Sequence, residues 1–175
     1  WMGASINNDN GMMYITSHNI PFIGKIHENE SKFNYYKFYS SFERLFDKNG
    51  YPGSKPPWGN LTAINLNSGK IKWQVPFGEY EELTKMGIPL TGTENYGGAT
   101  GTAGNIIFAT GTLDKKIRAF NSNNGKEVWS YKLKYVGSGP PSVYSVNDEQ
   151  YVIVASTGSY SLSSAYSVNF GNLLY

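Results

Sequence analysis

Residues that could carry out chemistry are few in this 175-residue chain. The absence of cysteine excludes disulfides, zinc fingers and thiol catalysis together. Neither histidine, His18 or His27, belongs to an HExxH arrangement, and no GxSxG motif or Walker loop is present. Since His18 follows a predicted strand, a loop histidine is a simpler interpretation than a metal ligand. The sequence therefore identifies no catalytic residue and no metal ligand.

One stretch, ENYGG at Glu94 to Gly98, is more specialised than an ordinary turn. Its paired glycines, Gly97 and Gly98, would let the backbone approach a flat ligand closely, because glycine has no Cβ. The amide of Asn95 can donate and accept hydrogen bonds, and Tyr96 adds an aromatic ring. The same composition is also typical of a plain loop, so both interpretations stay open.

The elements that must position this stretch contain a repeat. The sequence LTAINLNSGKIKW, from residue 61, recurs without a gap as IRAFNSNNGKEVW, from residue 117, so the copies begin 56 residues apart. The identical positions include Ala63 and Ala119, Asn65 and Asn121, Gly69 and Gly125, Lys70 and Lys126, and Trp73 and Trp129. A repeat of this period, built from short strands and a glycine turn, predicts stacked or radially arranged β-modules.

Each copy has the pattern of a β-hairpin. In the first, an apolar run ends at Asn67-Ser68-Gly69, a turn in which glycine takes positive φ without steric cost. Ile71, Trp73 and Val75 then alternate with polar residues, the period of a strand with one buried face. We expect the return strand to carry a buried tryptophan, with the small alanine leaving room for an indole. An ordinary hairpin pair in a β-sandwich is the alternative.

The composition favours an all-β fold throughout. Twenty glycines and 14 tyrosines, with only 16% charged residues, favour many short strands joined by glycine and asparagine turns. About a dozen strands predict about three four-stranded blades of a β-propeller, with residues 1–175 forming part of one domain. Residues 27–57 are expected to be a variable insertion, with a loop or short helix at 27–48. We also expect helical turns at 79–86, a loop at 88–98, and a loop with a possible strand at 158–168.

Charge and hydropathy exclude several partners. The net charge of +2 and the absence of a Lys/Arg cluster argue against nucleic acid. No apolar run approaches the roughly 18 residues that a membrane-spanning helix needs. The chain opens on Trp1-Met2-Gly3, without a signal-peptide pattern, and ends in what reads as the middle of a strand. We therefore expect a fragment of a longer protein.

Several segments together resemble the dehydrogenases that depend on pyrroloquinoline quinone (PQQ), above all the glucose, quinate and shikimate types. These segments are WMGASINNDNGMMYITSHNIPFI, GYPGSKPPWGNLTAINLNSGKIKWQVPFGEY, TGTENYGGATGTAGNIIFATGTLDKKIRAFNSNNGKEVWSYKL and QYVIVAS. In that family, Ala-x-Asp-x-x-x-Gly-Lys-x-x-Trp is the tryptophan-docking repeat of an eight-bladed β-propeller. Here Asn65 and Asn121 replace the aspartate, which is expected to weaken a turn hydrogen bond without changing the fold.

The resemblance implies the C-terminal portion of a periplasmic enzyme, with membrane association only through parts outside this chain. PQQ would lie near the propeller axis beside Ca²⁺, accept the equivalent of a hydride from a sugar or alcohol, and pass electrons to a quinone or cytochrome. The family's acid/base aspartate, its quinone-contacting lysine and most calcium ligands lie upstream of the matched portion. None is assigned here, and the chain alone is expected to be inactive.

By the same resemblance, this chain would contribute the edge of the cofactor pocket. Trp1 matches the tryptophan of the family's Gly-Gly-x-Asn-Trp segment. Asn95, Tyr96, Gly97 and Gly98 match a second loop on the cofactor side. The docking tryptophans, in contrast, would be structural.

Two other functions compete with the enzyme. A non-catalytic propeller with a similar repeat could be a scaffold for protein assembly at the outer membrane, and the docking repeats do not separate the two. A free-standing carbohydrate-binding β-sandwich would require natural chain termini. The PPWG segment and the stretch from Glu94 to Gly98 favour the enzyme, because a scaffold has no need of a cofactor-side loop.

Overall fold

The structure is a computed structural model that describes residues 3–28 and 36–175, with side chains described at 3–24 and 43–175. Within these residues the chain forms short strands and two short helices. In chain order the elements are β1 (Ala4–Asn7), β2 (Met12–His18), β3 (Phe22–Glu28), β4 (Tyr36–Arg44), β5 (Gly59–Asn65), β6 (Lys70–Pro76), α1 (Glu81–Lys85), β7 (Asn95–Gly101), β8 (Ile106–Thr112), β9 (Lys116–Asn121), β10 (Glu127–Lys132), β11 (Ser142–Val146), β12 (Glu149–Ile153), β13 (Ala155–Ser156), α2 (Tyr160–Tyr166) and β14 (Leu173–Leu174).

The repeat copies lie in two separate four-stranded antiparallel sheets. The first sheet has the order β1-β2-β5-β6 and the second β10-β9-β8-β7, so each copy supplies two neighbouring strands of its sheet. The sequence predicts about three four-stranded blades, and two sheets with four strands are present among the described residues. Strands β11 and β12 form a two-stranded sheet, as do β13 and β14. The all-β prediction is confirmed.

Both repeat turns form as the sequence predicts. Gly69 and Gly125 have φ of 66° and 72°, the left-handed region that glycine enters without a Cβ clash. Asn65 Oδ1 accepts a hydrogen bond from Ser68 N at 3.1 Å, and Asn121 Oδ1 accepts one from Asn123 N at 2.9 Å. Asparagine therefore still closes the turn where the docking motif has aspartate.

The main hydrophobic core lies between the two four-stranded sheets. Strand β2 of the first sheet and strand β7 of the second contact each other, and alternate residues of β2 are buried. The buried residues of this core are Met12, Tyr14, Leu61, Ala63, Phe77, Ala99, Ile107, Ala109 and Phe120. Because both sheets contribute to it, neither sheet has a complete core of its own.

Trp73 joins the two repeat copies, because its indole lies on the turn of the second copy. Its Nε1 donates a hydrogen bond to Ser122 O at 2.9 Å, and its ring stacks on Tyr14 with centroids 6.1 Å apart. A Cβ at Gly125 would stand 2.6 Å from Trp73 Cε3. The predicted burial is only partly correct: Trp73 is half-buried, whereas Trp129 is 49% exposed and stacks on Tyr131.

Three segments differ from the sequence predictions. Residues 36–44 form β4, which pairs antiparallel with β3, so the loop or short helix predicted there is wrong. This segment is rich in tyrosine and phenylalanine, and their strand propensity outweighs the helical spacing of a few apolar residues. Residues 160–166 form α2 rather than a strand, and β7 begins within the predicted loop at 88–98. Helix α1 confirms the helical turns predicted at 79–86.

The β3–β4 hairpin is inserted between the second and third strands of the first sheet and forms a separate two-stranded sheet. In the part of the chain that the structure describes, neither α1 nor α2 is long enough to cross a bilayer. The two four-stranded sheets therefore form the framework on which the hairpin and helices are carried.

Replacement of Gly125 by alanine is expected to destabilise the protein more than the same replacement at Gly87. Both glycines have positive φ, but a Cβ at Gly87 meets nothing within 4 Å, whereas one at Gly125 meets the indole. The shared backbone strain therefore cancels, and overpacking against Trp73 adds about 1–3 kcal/mol to the loss at Gly125. Urea unfolding of the two variants measures this difference, and equal losses would contradict the docking contact.

Candidate functional site

Asn95, the first residue of the stretch predicted to face a cofactor, opens strand β7 and is buried. Its Nδ2 donates hydrogen bonds to Ser17 O at 2.9 Å and Thr93 O at 3.2 Å. Its carbonyl oxygen accepts a hydrogen bond from His18 Nδ1 at 3.1 Å. Asn95 therefore joins the start of β7 to the end of β2, across the two four-stranded sheets.

The paired glycines are explained by packing within their own sheet. A Cβ at Gly97 would stand 2.3 Å from Thr110 O, and one at Gly111 would stand 1.9 Å from Gly97 N. Gly98 has φ of 83°, beside the irregularity in the pairing of β7 with β8. Gly97 and Gly111 thus allow two backbones to meet closely at a β-bulge. Close approach to a ligand is not needed to explain them, and their role beside a cofactor stays a prediction.

Glu94 is a fully buried carboxylate at the start of β7. Arg44, the last residue of β4, binds it through two nitrogens: Nε lies 2.7 Å from Oε2 and Nη2 lies 2.8 Å from Oε1. Arg44 Nη2 also donates to Ser161 O of α2 at 2.9 Å, and the guanidinium lies over the rings of Phe22 and Tyr166. The hydrogen bond and charge of Glu94 raise the pKa of Arg44. This ion pair joins the inserted hairpin, α2 and the second sheet.

Tyr96 completes the group around the buried carboxylate. Its hydroxyl donates a hydrogen bond to Glu94 Oε1 at 2.7 Å, and its ring centroid lies 5.1 Å from that of His18. Burial, together with the hydrogen bond to Glu94, raises the pKa of Tyr96 to about 12. Burial likewise raises the pKa of Tyr80 to about 12. Both phenols therefore stay protonated at neutral pH.

A cleft of about 580 Å³ opens beside the ion pair. Its lining is mostly apolar and comes from the inserted hairpin, β7 and α2. The lining residues are Phe22, Arg44, Tyr96, Tyr160, Ser161 and Ser164. Of the residues predicted to contact a cofactor, Tyr96 lines this cleft, while Asn95 is buried and is not among its lining residues. Trp1 lies outside the described residues.

A second buried ion pair, between Asp114 and Arg118, lies at the turn from β8 to β9. Asp114 stabilises this turn, because its Oδ1 accepts hydrogen bonds from Lys116 N at 3.1 Å and Thr112 Oγ1 at 2.6 Å. Burial opposes ionisation of Asp114, but Arg118 outweighs it and holds the pKa of the carboxyl below its usual value. Its contacts are those of a structural ion pair.

Sequence reasoning missed both ion pairs, although each left a signal. Arg118 is a charge within an apolar strand, and a charge at such a position requires a buried partner. Glu94 is a lone acid among glycines, threonines and an asparagine, beside the predicted ligand stretch. Its partner Arg44 gave no signal, because 50 residues separate the two and no periodic pattern relates them.

The family model for PQQ proteins, described as the glucose/ethanol/alcohol dehydrogenase β-propeller domain, matches residues 1–152. The chain belongs to this family. The match includes both repeat copies, the inserted hairpin and Asn95 to Gly98. The sequence resemblance is therefore confirmed at the level of family and propeller fold.

Curated relatives are dehydrogenases of several substrates. The chain is 37% identical over 122 residues to quinate/shikimate dehydrogenase (quinone) of Acinetobacter baylyi, covering 66% of this chain and 15% of the relative. It is 31% identical over 119 residues to quinoprotein glucose dehydrogenase of Escherichia coli, covering 62% and 14%. It is 37% identical over 111 residues to the glycerol dehydrogenase large subunit of Gluconobacter oxydans, covering 60% and 15%. The chain thus spans about one seventh of the length of these relatives.

Solved structures support the fold. The quinohemoprotein alcohol dehydrogenase from Comamonas testosteroni matches with a TM-score of 0.63 and 23% identity, covering 89% of this chain and 22% of that one. A europium-containing methanol dehydrogenase matches with a TM-score of 0.63 and 21% identity, covering 89% and 24%. At these identities the likeness establishes the propeller architecture only.

The described residues do not fit PQQ on their own. PQQ carries three carboxylates, yet Arg44, the cation at the cleft, is already paired with Glu94. The Asn95 amide nitrogen donates to two backbone carbonyls, and Gly97 packs against Thr110. Nor do the side chains described at 3–24 and 43–175 include a cluster of three His, Asp or Glu residues that could hold a metal ion. These residues supply at most one aromatic edge of a cofactor pocket.

Loss of the Arg44 side chain is expected to destabilise the protein strongly, because Glu94 would remain buried without a partner. Arg44→Met should lower the free energy of unfolding by about 3–5 kcal/mol. The matched control is Lys132→Met, which removes the exposed ion pair with Glu81 and should cost less than about 1 kcal/mol. Addition of Glu94→Gln to Arg44→Met should recover stability, because it removes the uncompensated charge. Equal urea unfolding curves for the two single variants would contradict this account.

Alkaline pH is expected to destabilise the fold through its buried phenols. The folded pKa of about 12 at Tyr96 and Tyr80 lies above the unfolded value of about 10. Below the unfolded pKa, the contribution of the two protonated phenols to the free energy of unfolding is fully present. This contribution is lost as the pH rises through the folded pKa. The thermal midpoint should therefore fall from about pH 10 to about pH 12, and less steeply in Tyr96→Phe. An identical pH profile for wild type and variant would contradict a raised pKa at Tyr96.

Proposed function

We propose that this chain is the C-terminal portion of a PQQ-dependent dehydrogenase that oxidises a sugar or alcohol. The family match over residues 1–152 carries the proposal. When bound, PQQ supplies two-electron oxidation of the substrate. We further propose that the electrons pass to a quinone or cytochrome acceptor, that Ca²⁺ accompanies PQQ, and that the protein works in the periplasm. These parts rest on the resemblance of the sequence to the family.

A fixed position for the predicted stretch Asn95 to Gly98 supports this proposal. At the start of β7, Asn95 Nδ2 donates to Ser17 O near the end of β2. At the other end of β7, Gly101 N donates to Ser5 Oγ of β1 at 2.8 Å. Strand β7 is thereby held against the first sheet at both of its ends.

The chain's own contribution to the proposed site is mainly positional. Asn95 fixes the start of β7 against β2, and the pair of Arg44 with Glu94 holds the inserted hairpin beside it. The hydrogen bond to Glu94 orients Tyr96 so that its ring lines the cleft. These residues would shape the approach to the reacting centre, while the rest of the protein would supply the acid/base and metal-binding groups.

The test is a calorimetric titration of PQQ into the full-length protein that contains this chain, with Ca²⁺ and with a chelator. We expect binding that requires Ca²⁺ and that weakens about tenfold in Tyr96→Ala, because one aromatic edge of the pocket is lost. Tyr144→Ala, at an exposed tyrosine of β11, is the control and should bind PQQ normally. A folded full-length protein that does not bind PQQ would contradict the proposal and favour the outer-membrane assembly scaffold.

A further inference from the structure

The cleft beside the ion pair is built by parts of the chain outside the repeat. Phe22 begins β3 and Arg44 ends β4, and these two residues pair with each other at the open end of the hairpin. Tyr160, Ser161 and Ser164 come from α2, and Tyr96 comes from β7. The volume of about 580 Å³ lies within the range of small-molecule sites, which is about 300–1,000 Å³. The propeller framework thus carries a separately built cleft at its edge.

The described side chains that line the cleft offer no net charge to a ligand. Among the residues that the structure describes, Arg44 is the one cation that lines it, and Glu94 neutralises that charge through two hydrogen bonds. Because the pair of Arg44 with Glu94 is neutral overall, it supplies no net positive charge to offset the cost of removing a carboxylate ligand from water. The cleft should therefore discriminate against anionic ligands.

The polar groups that the structure describes at the cleft are few and partly engaged. The Tyr96 hydroxyl donates to Glu94, and Ser164 Oγ donates to Ser161 O at 3.2 Å. A ligand with many hydroxyls would lose its hydration without finding enough partners, which is costly for each buried polar group. A ligand with one or two oxygens on an apolar ring suits this lining better.

Aromatic rings form the walls of the cleft. Phe22, Tyr96 and Tyr160 all line it, and Tyr160 is 82% exposed. An exposed aromatic side chain at the edge of a cleft presents a flat apolar face on which a ring can stack. The substitution of Tyr160 also carries little risk for folding, because so little of its side chain is buried.

We propose that this cleft binds an uncharged ring carrying a single hydroxyl group, such as a benzylic or cyclic alcohol, with Tyr160 as a specificity-determining residue. Only the statement that this ligand is the substrate rests on the proposed function. The named relatives act on quinate, glucose or glycerol, of which the first is a carboxylate and all carry several hydroxyls. The cleft in this chain selects for a less polar ligand.

The first experiment titrates benzyl alcohol and, separately, benzoate into the full-length protein without PQQ. Ligand-observed NMR measures the binding of each. The two probes share a ring and differ in charge. We expect benzyl alcohol to bind about tenfold or more tightly than benzoate, because the neutral ion pair does not offset the desolvation of the benzoate carboxylate. Tyr160→Ala should weaken benzyl alcohol about threefold to tenfold, as loss of one stacked ring does. Tyr144→Ala is the matched control and should leave its affinity unchanged.

The second experiment measures PQQ-dependent dye reduction by the full-length protein with benzyl alcohol, glycerol and glucose. Tyr160→Ala should raise KM for benzyl alcohol and leave kcat unchanged, since its ring contacts the substrate away from the reacting bond. A structural role alone would lower activity on all three substrates equally.

The outcomes separate this inference from the proposed function. Benzyl alcohol binding that depends on Tyr160, in a protein that does not bind PQQ, would support the cleft and reject the dehydrogenase. PQQ-dependent oxidation of glycerol or glucose, without binding of benzyl alcohol, would support the dehydrogenase and overturn the cleft proposal. Benzoate binding as tight as benzyl alcohol, or equal affinities in Tyr160→Ala and Tyr144→Ala, would also overturn it.

Discussion

The buried carboxylate of Glu94 is the constraint on which the candidate site depends. A fully buried carboxylate needs a partner that offsets its lost hydration, and among the described residues Arg44 forms the ion pair with Glu94. Arg44 reaches it from the inserted hairpin, 50 residues earlier in the chain, and also binds Ser161 O, 117 residues further on. One requirement for charge neutralisation thereby places three distant segments around a single cleft. The pairing of the Glu94 charge with Arg44 therefore holds the walls of the cleft together.

The framework below this site depends on a second contact, between Trp73 and the turn at Gly125. The indole fills the space that the missing Cβ leaves, and its Nε1 is bonded to a backbone carbonyl of the neighbouring sheet. The tryptophan of the first copy and the glycine of the second copy are thus complementary in shape, although both belong to the same repeat. Trp129 occupies the corresponding position in the second copy, where its exposed ring stacks on Tyr131 instead. The contact explains why the motif keeps both a tryptophan and a glycine.

The framework could be predicted because it contains the repeat. The site could not be predicted, because the segments that form it lie outside the repeat. The hairpins at 61–73 and 117–129, the glycine turns and the all-β fold follow from local patterns that occur twice. Strand β4 and helix α2 carry no such pattern: the first has apolar residues at helical spacing, and the second lies in a serine-rich segment that resembles a loop. The pairing of Arg44 with Glu94 depends on tertiary placement, which local propensity and period do not encode.

The two adjacent glycines show that residue types alone do not identify a binding site. Glycines beside an asparagine and a tyrosine suggest a backbone that approaches a ligand, yet Gly97 approaches Gly111 and Thr110 of its own sheet. The same missing Cβ serves either purpose, so the sequence does not distinguish them. The side chain next to them does, because Tyr96 has its hydroxyl on Glu94 and its ring at the cleft. What the glycines contribute is the bulge beside this tyrosine, whose ring lines the cleft.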